Sequence, residues 1–232
     1  MQVVFRCPPE LRGLIPEPTL ARRGLPDWLK AMPTKVASGD LGFDVETVKQ
    51  CPPFIDAMSA GFLMPLACDI AVENGAFSWH WKPPATTLTA FTRSPLAVHV
   101  ADQLVGTPFF EADAFAVKFI NYWTVQVPEG YGLLCTHPIN RADLPFRSVT
   151  GLVHAANYDN FIHFPAQWID RGFSGVLPRG TPVAQCLPVP LTELDLVMET
   201  LEGGAAERFN EAKTAVRDGA GAYRKHHRKK RG

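Results

Sequence analysis

The chain has 232 residues, and Lys+Arg and Asp+Glu balance at 23 each, so overall charge argues against a nucleic-acid or anionic-membrane partner. At 46% hydrophobic and 20% charged residues, its composition is that of a globular chain rather than a disordered one. No run of about 18 apolar residues occurs, and the opening MQVVFRCPPELRG lacks the apolar core of a signal peptide, so we expect no membrane span and a cytoplasmic location.

Cys7, Cys51, Cys68, Cys135 and Cys186 are odd in number, widely spaced and never in a CxxC pair. That excludes a disulfide framework and a zinc ribbon as organising devices. The 21 prolines and 15 phenylalanines favour short strands joined by Pro-marked turns, because proline breaks helix interiors and concentrates at strand ends.

In chain order, Val3–Phe5 reads as a strand. A Pro-rich arm follows, with one helical turn at Pro26–Leu29, since Pro suits the first helical position. The arm is too apolar for a free tail, and Trp28 and Leu29 are expected to pack on the β body or on a neighbouring subunit. Phe54–Ser59 reads as a short helix and Phe62–Val72 as a strand. Glu73-Asn74-Gly75 signals a hairpin turn, with Phe77–Trp81 as the return strand. Further strands are expected at Leu96–Val100, Phe115–Trp123, Tyr131–Thr136, Ser148–His154, Phe161–Phe164, Ser174–Leu177 and Val183–Val189. The turn at Val127–Gly130 marks Tyr131–Thr136 as the hairpin partner of the strand before it. Strands at about ten-residue spacing predict an antiparallel barrel or sandwich. Leu194, Val197, Met198 and Leu201 recur at helical spacing, which predicts two helical pieces flanking Gly203-Gly204. The chain then closes on a basic tail with six Lys/Arg between Arg224 and Arg231, either a solvated end or a contact for an anionic partner. The organisation expected is a Pro-rich arm (1–44), a β-rich core domain (45–190) and a helical segment with the tail (191–232).

His137, His154 and His163 fall in or beside three successive predicted strands. On the inner face of a barrel, three imidazoles can hold a divalent Fe, Mn or Zn ion with positions left open for chemistry. The competing reading is that they are hydrogen-bonded structural or surface histidines. The loop from His137 to Arg147 is the densest mix of polar groups in the chain. Arg141 and Arg147 can grip an acidic group in bidentate fashion, with Asp143 as a nearby carboxylate and Asn140 as an orienting group. Alternatively, Arg141 and Asp143 pair with each other and brace the loop. No P-loop, GxGxxG, GxSxG or HExxH occurs.

Two resemblances add to this. Gly151-Leu-Val-His-Ala-Ala-Asn-Tyr158, Asp170-Arg-Gly-Phe-Ser-Gly175 and Gly180-Thr-Pro-Val-Ala-Gln185 resemble the closing third of the dUTPase and dCTP-deaminase superfamily. This implies a β-clip type of fold, often trimeric, with sites between subunits. His154 and Asn157 stand where that family carries the two aspartates of its hairpin. The resemblance implies that Tyr158 would support a sugar and that Arg147 and Gln185 would lie near phosphates. The segments TVKQCPPFIDAM, THPINRADLPFR and GTPVAQCLPV resemble a protein family of bacteria and their phages, which implies one unit across most of the chain.

The expectation is therefore a mainly β, barrel-like or β-clip-like, self-associating protein with a Pro-rich N-terminal arm and a C-terminal helix. The leading functional expectation is a metal-dependent, oxidative enzyme acting on a small molecule or peptide. His137, His154 and His163 would be its ligands, and Arg141, Asp143 and Arg147 its catalytic groups. The alternatives are a dUTPase-like nucleotide-binding or nucleotide-hydrolysing protein, and a non-catalytic interaction protein.

Overall fold

The computed structural model describes residues 1–88, 91–99, 101–108 and 116–218. The chain opens with strands β1 (Val4–Arg6) and β2 (Thr19–Leu20), helix α1 (Asp27–Ala31), strands β3 (Lys35–Ala37) and β4 (Asp44–Glu46), and helix α2 (Pro52–Ser59). Strands β5 (Phe62–Pro65), β6 (Ile70–Glu73), β7 (Ala76–Ser78), β8 (Leu96–His99), β9 (Ala116–Phe119) and β10 (Thr124–Gln126) follow. Next come β11 (Tyr131–Thr136), β12 (Phe146–Ser148), β13 (Gly151–Val153), β14 (Phe164–Trp168), β15 (Gly175–Leu177) and β16 (Pro182–Pro190), then helix α3 (Gly203–Asp218). The protein is mainly β, and among the described residues every strand pair is antiparallel.

Two compact units emerge. One comprises Met1–Pro26 and Met58–Leu191; the other comprises Asp27–Ala57 and Thr192 onward. The first holds four sheets, ordered β13-β11-β16-β5-β2, β12-β14-β9-β8, β15-β6-β7 and β1-β10. β16 is central in its sheet, and Val183 through Cys186 are all buried, the near-continuous apolar run of a strand covered on both faces. The main core gathers Phe62, Met64, Val117, Phe119, Leu133, Phe146, Phe164 and Trp168. A smaller cluster of Leu11, Ile15, Ala67, Ile120 and Tyr122 lies apart from it. In the second unit β3 pairs with β4. Lys49 Nζ donates to the carbonyls of Lys30 and Met32 at 2.7 and 2.8 Å, satisfying acceptors that the end of α1 leaves open.

Local signals were obeyed. Asn74 and Gly75 take φ of 49° and 77°, the pair of left-handed conformations a two-residue hairpin turn needs, and β6 and β7 close around them. β11 occupies the predicted span. Four expectations are corrected. The stretch expected as the single strand Phe115–Trp123 carries β9 and then a break before β10; Phe115 itself lies outside the described residues. β11 pairs with β13 and β16, not with the strand before it. The partner of β10 is instead β1, with Phe5 opposite Val125, so the first residues belong to the β body. Leu194, Val197, Met198 and Leu201 form no helix and are exposed; α3 starts at the glycines expected to interrupt it. Leu194, Glu199 and Leu201 are good helix formers, so propensity does not separate this stretch from Ala205–Val216; its apolar side chains are exposed, and a short helix without packing for its apolar face is marginal. The basic tail lies outside the described residues. Among the described residues, no helix is long and apolar enough to cross a membrane.

Candidate functional site

The three histidines do not form one centre. Among the described residues, no group of three or more His, Cys, Asp or Glu side chains is placed to hold a metal ion. The ring of His137 is engaged on both sides: Nδ1 accepts the Ser148 N–H at 3.2 Å and Nε2 lies 3.0 Å from the Arg141 carbonyl. With a backbone donor at Nδ1, the ring proton sits on Nε2 and is donated to Arg141. Burial, with the nearby Arg147 and Arg141 charges, lowers the His137 pKa against the opposing pull of the Arg141 carbonyl and Asp143. This histidine ties the ends of its loop together. His154 follows β13 at a sheet edge, and His163 precedes β14.

The polar loop is also largely internal in its bonding. Arg141 grips Asp143 in bidentate fashion, with Nε at 2.8 and 3.1 Å and Nη2 at 2.8 Å from the carboxylate oxygens. Asn140 adopts φ 60°, a turn role to which asparagine is suited. Arg147 is exposed on β12 opposite Gln167. Gln185, 1% exposed, accepts the Ile139 N–H at 3.0 Å and donates to the Ala60 carbonyl at 2.7 Å. It holds backbone together from inside the sheet. Tyr158 is exposed in the turn after β13.

A large concavity of the first unit lies elsewhere. A cleft of about 1060 Å³ is lined from four parts of the chain: the end of β1 (Arg6, Cys7), β10 with the residues before it (Tyr122, Thr124, Gln126), the segment around Phe91, and Asp159–His163. Strand geometry explains the grouping. Thr124 and Gln126 alternate along β10, and a period of two puts them on one face; Tyr122 lines the cleft from the segment before β10, and Phe161 and His163 from the segment before β14. Thr124 is opposite Arg6 on one side and bridges to Phe161 on the other. Arg6, Thr124 and Phe161 thus form one cross-strand row spanning two strand spacings, roughly 10 Å.

Asn121, 5% exposed, sets this geometry. Its side chain closes on the backbone of Trp123, accepting the N–H at 3.0 Å and donating to the carbonyl at 2.5 Å. That clamp explains the break between β9 and β10. The Asn121 N–H donates to His163 Nδ1 at 3.2 Å, so neutral His163 carries its proton on Nε2. Burial lowers the His163 pKa, helped by the Lys118 charge, which keeps the ring neutral and makes Nε2 a hydrogen-bond donor. Tyr122 is held by a 2.8 Å hydrogen bond to the Ser94 carbonyl and by ring contacts with Phe91 and Phe161 at 5.5 and 6.4 Å. The cleft therefore offers aromatic walls, one guanidinium, one carboxylate (Asp159), amide groups and an imidazole. Of the six residues expected as metal ligands or catalytic groups, only His163 lines it. The alternation Thr124-x-Gln126 was the available signal.

No family model matches the chain, and no curated protein matches it. Among solved structures, a point mutant of the dUTPase from phage phi11 of S. aureus, described as coordinating a structural Mg(II) ion, aligns at 17% identity and TM-score 0.33, over 62% of this chain and 86% of that one. A mutant of the phage 80alpha dUTPase, studied for its SaPI-inducing capacity, aligns at 20% identity and TM-score 0.29, over 40% and 71%. Another mutant of the Staphylococcus bacteriophage 80alpha dUTPase, bound to dUpNHpp, aligns at 19% identity and TM-score 0.28, over 45% and 97%. Likeness at this level says nothing of this chain's site.

Proposed function

We propose that this chain binds a nucleotide in the cleft between Arg6 and Phe161. The observation that carries the reading is the row Arg6–Thr124–Phe161, which sets a cation and an aromatic face at the two ends of one cleft. A nucleotide has the matching parts: a planar base to lie against Phe161 and Phe91, a sugar with hydroxyls for Asp159 or Thr124, and an anionic end within reach of the Arg6 side chain. Arginine suits phosphate because its fork of donors matches two oxygens at once. Aromatic contact to a base is worth about 1–3 kcal/mol. The volume, about 1060 Å³, accommodates such a ligand with room for its hydration.

The test is a thermal-shift panel of deoxynucleoside mono- and triphosphates with Mg²⁺ on the full chain. A ligand present at a hundred times its dissociation constant should raise the midpoint by about 5–10 °C. Phe161→Ala and Arg6→Ala should each abolish most of the shift. A panel with no shift for any nucleotide would overturn the reading.

A further inference from the structure

We propose a second small-ligand site in the same unit, a hollow for an uncharged planar aromatic group bearing an amide-like edge. The hollow measures about 410 Å³ and shares no lining residue with the first cleft, and ligand pockets of about 300–1,000 Å³ are ordinary for small molecules. Its floor is a row of the β15-β6-β7 sheet: Ala71 has Ser78 on one side and Val176 on the other. Ile70 and Val72 point into the core, so Ala71 points out. The hollow exists because the middle residue of this row is small.

The walls are Trp79 and Trp81. Trp79 packs on the main core cluster and Trp81 on the smaller one, and Trp81 also meets the Tyr122 ring at 5.0 Å. Each indole is thus fixed by its packing and lends its remaining surface to the hollow, a preformed apolar site of the kind that binds flat rings. Cys68 also lines the hollow, its thiol pKa pushed up to about 11 by burial and the neighbouring Asp69; it is a protonated, weakly polar surface.

The mouth decides the charge of the ligand. It carries one carboxylate and one guanidinium, those of Asp69 and Arg179, and the His80 imidazole also lines the hollow. Asp69 Oδ1 accepts the Arg179 backbone N–H at 2.6 Å, and Arg179 Nη2 donates to the Leu14 carbonyl at 3.1 Å. An acceptor and a donor of opposite charge on one lining complement a neutral edge that carries both a donor and an acceptor. A full charge of either sign would meet one attractive and one repulsive partner while losing its water.

The test titrates benzamide, benzoate and benzylamine, matched in ring and differing in charge, into the full chain and follows tryptophan fluorescence. Benzamide should quench saturably, with a dissociation constant on the order of 1 mM as befits so small a ligand. Benzoate and benzylamine should bind about fivefold or more weakly. Ala71→Leu should fill the floor and remove benzamide binding, with folding checked by circular dichroism. Val176→Phe, at an exposed edge position, should do the same from the rim if the first variant does not fold. Phe161→Ala should leave benzamide binding intact. The site is overturned if no probe saturates, if either ion binds as well as benzamide, or if benzamide still binds the filled variants.

Discussion

His137 and His163 show how one residue type divides into strut and donor. His137 has both ring nitrogens bonded to backbone, so replacing it by alanine strands the Ser148 N–H and the Arg141 carbonyl. His137→Ala should lower unfolding stability by about 1–3 kcal/mol, measured by urea denaturation, with nucleotide affinity unchanged. His163→Ala should instead weaken nucleotide binding, because this residue lines the cleft. Both histidines have folded-state pKa values below the ordinary 6.5. Between the folded value and 6.5 the unfolded chain holds more protons, so stability rises with pH across that window and levels off above it. The urea midpoint should therefore fall as pH drops below about 6.5, and the fall should shrink in His137→Ala. A midpoint that rose on acidification would contradict this assignment. All three histidines were visible in the sequence, but which ring nitrogens the backbone would occupy was not. The bond from Ser148 to His137 and that from Asn121 to His163 join residues that no sequence pattern pairs.

Between elements, the tightest constraint lies at Gly61, just before β5. Its φ is +66°, and a side-chain carbon built there would stand 2.0 Å from the Cys186 carbonyl oxygen of β16. Backbone cannot yield as a flexible side chain can, and an L-residue is strained at this φ in any case. Gly61→Ala should therefore cost more than about 2 kcal/mol and separate β5 from β16. Hydrogen exchange should read this as faster exchange at Leu63 and Gln185, which sit opposite each other across that pair; unchanged protection would refute it. A neighbouring contact bears on thiol reactivity. Cys135 and Cys186 are buried opposite one another on β11 and β16 with Sγ atoms 3.6 Å apart, and burial raises the Cys186 pKa. Exposed Cys51 should react first with an alkylating reagent, and Cys135 and Cys186 only once the chain unfolds. At this scale the sequence was legible wherever a signal is local: the Asn74-Gly75 turn, the span of β11, and the short helix ending at Ser59, which opens two residues earlier than the expected Phe54. Strand partners were not legible, because pairing is decided by distant residues, and the Val127–Gly130 turn does not join β10 to β11 as a hairpin.

At the scale of the first unit, residues 1–26 group with the β strands. Prolines dominate the stretch, and its apolar residues carry the structural weight. β1 supplies the ladder partner of β10, Phe5 meets Phe62 edge-on at 5.0 Å, and Leu11 is completely buried in the smaller core cluster. Each such side chain contributes about 1.5–3 kcal/mol on burial, against a total stability of about 5–15 kcal/mol for an ordinary domain. Deleting residues 1–12 also uncovers the edge of β10 and removes Arg6 and Cys7 from the cleft. The truncated chain should therefore lose both its cooperative thermal transition and its nucleotide shift. The milder variant Leu11→Ala leaves β1 and Arg6 in place and should lower stability by about 2–5 kcal/mol while retaining nucleotide binding below its midpoint. Comparing the two separates the structural from the ligand-binding work of this segment. If the truncated chain melted as the full chain does, the β1–β10 ladder would be dispensable and the cleft would need another wall.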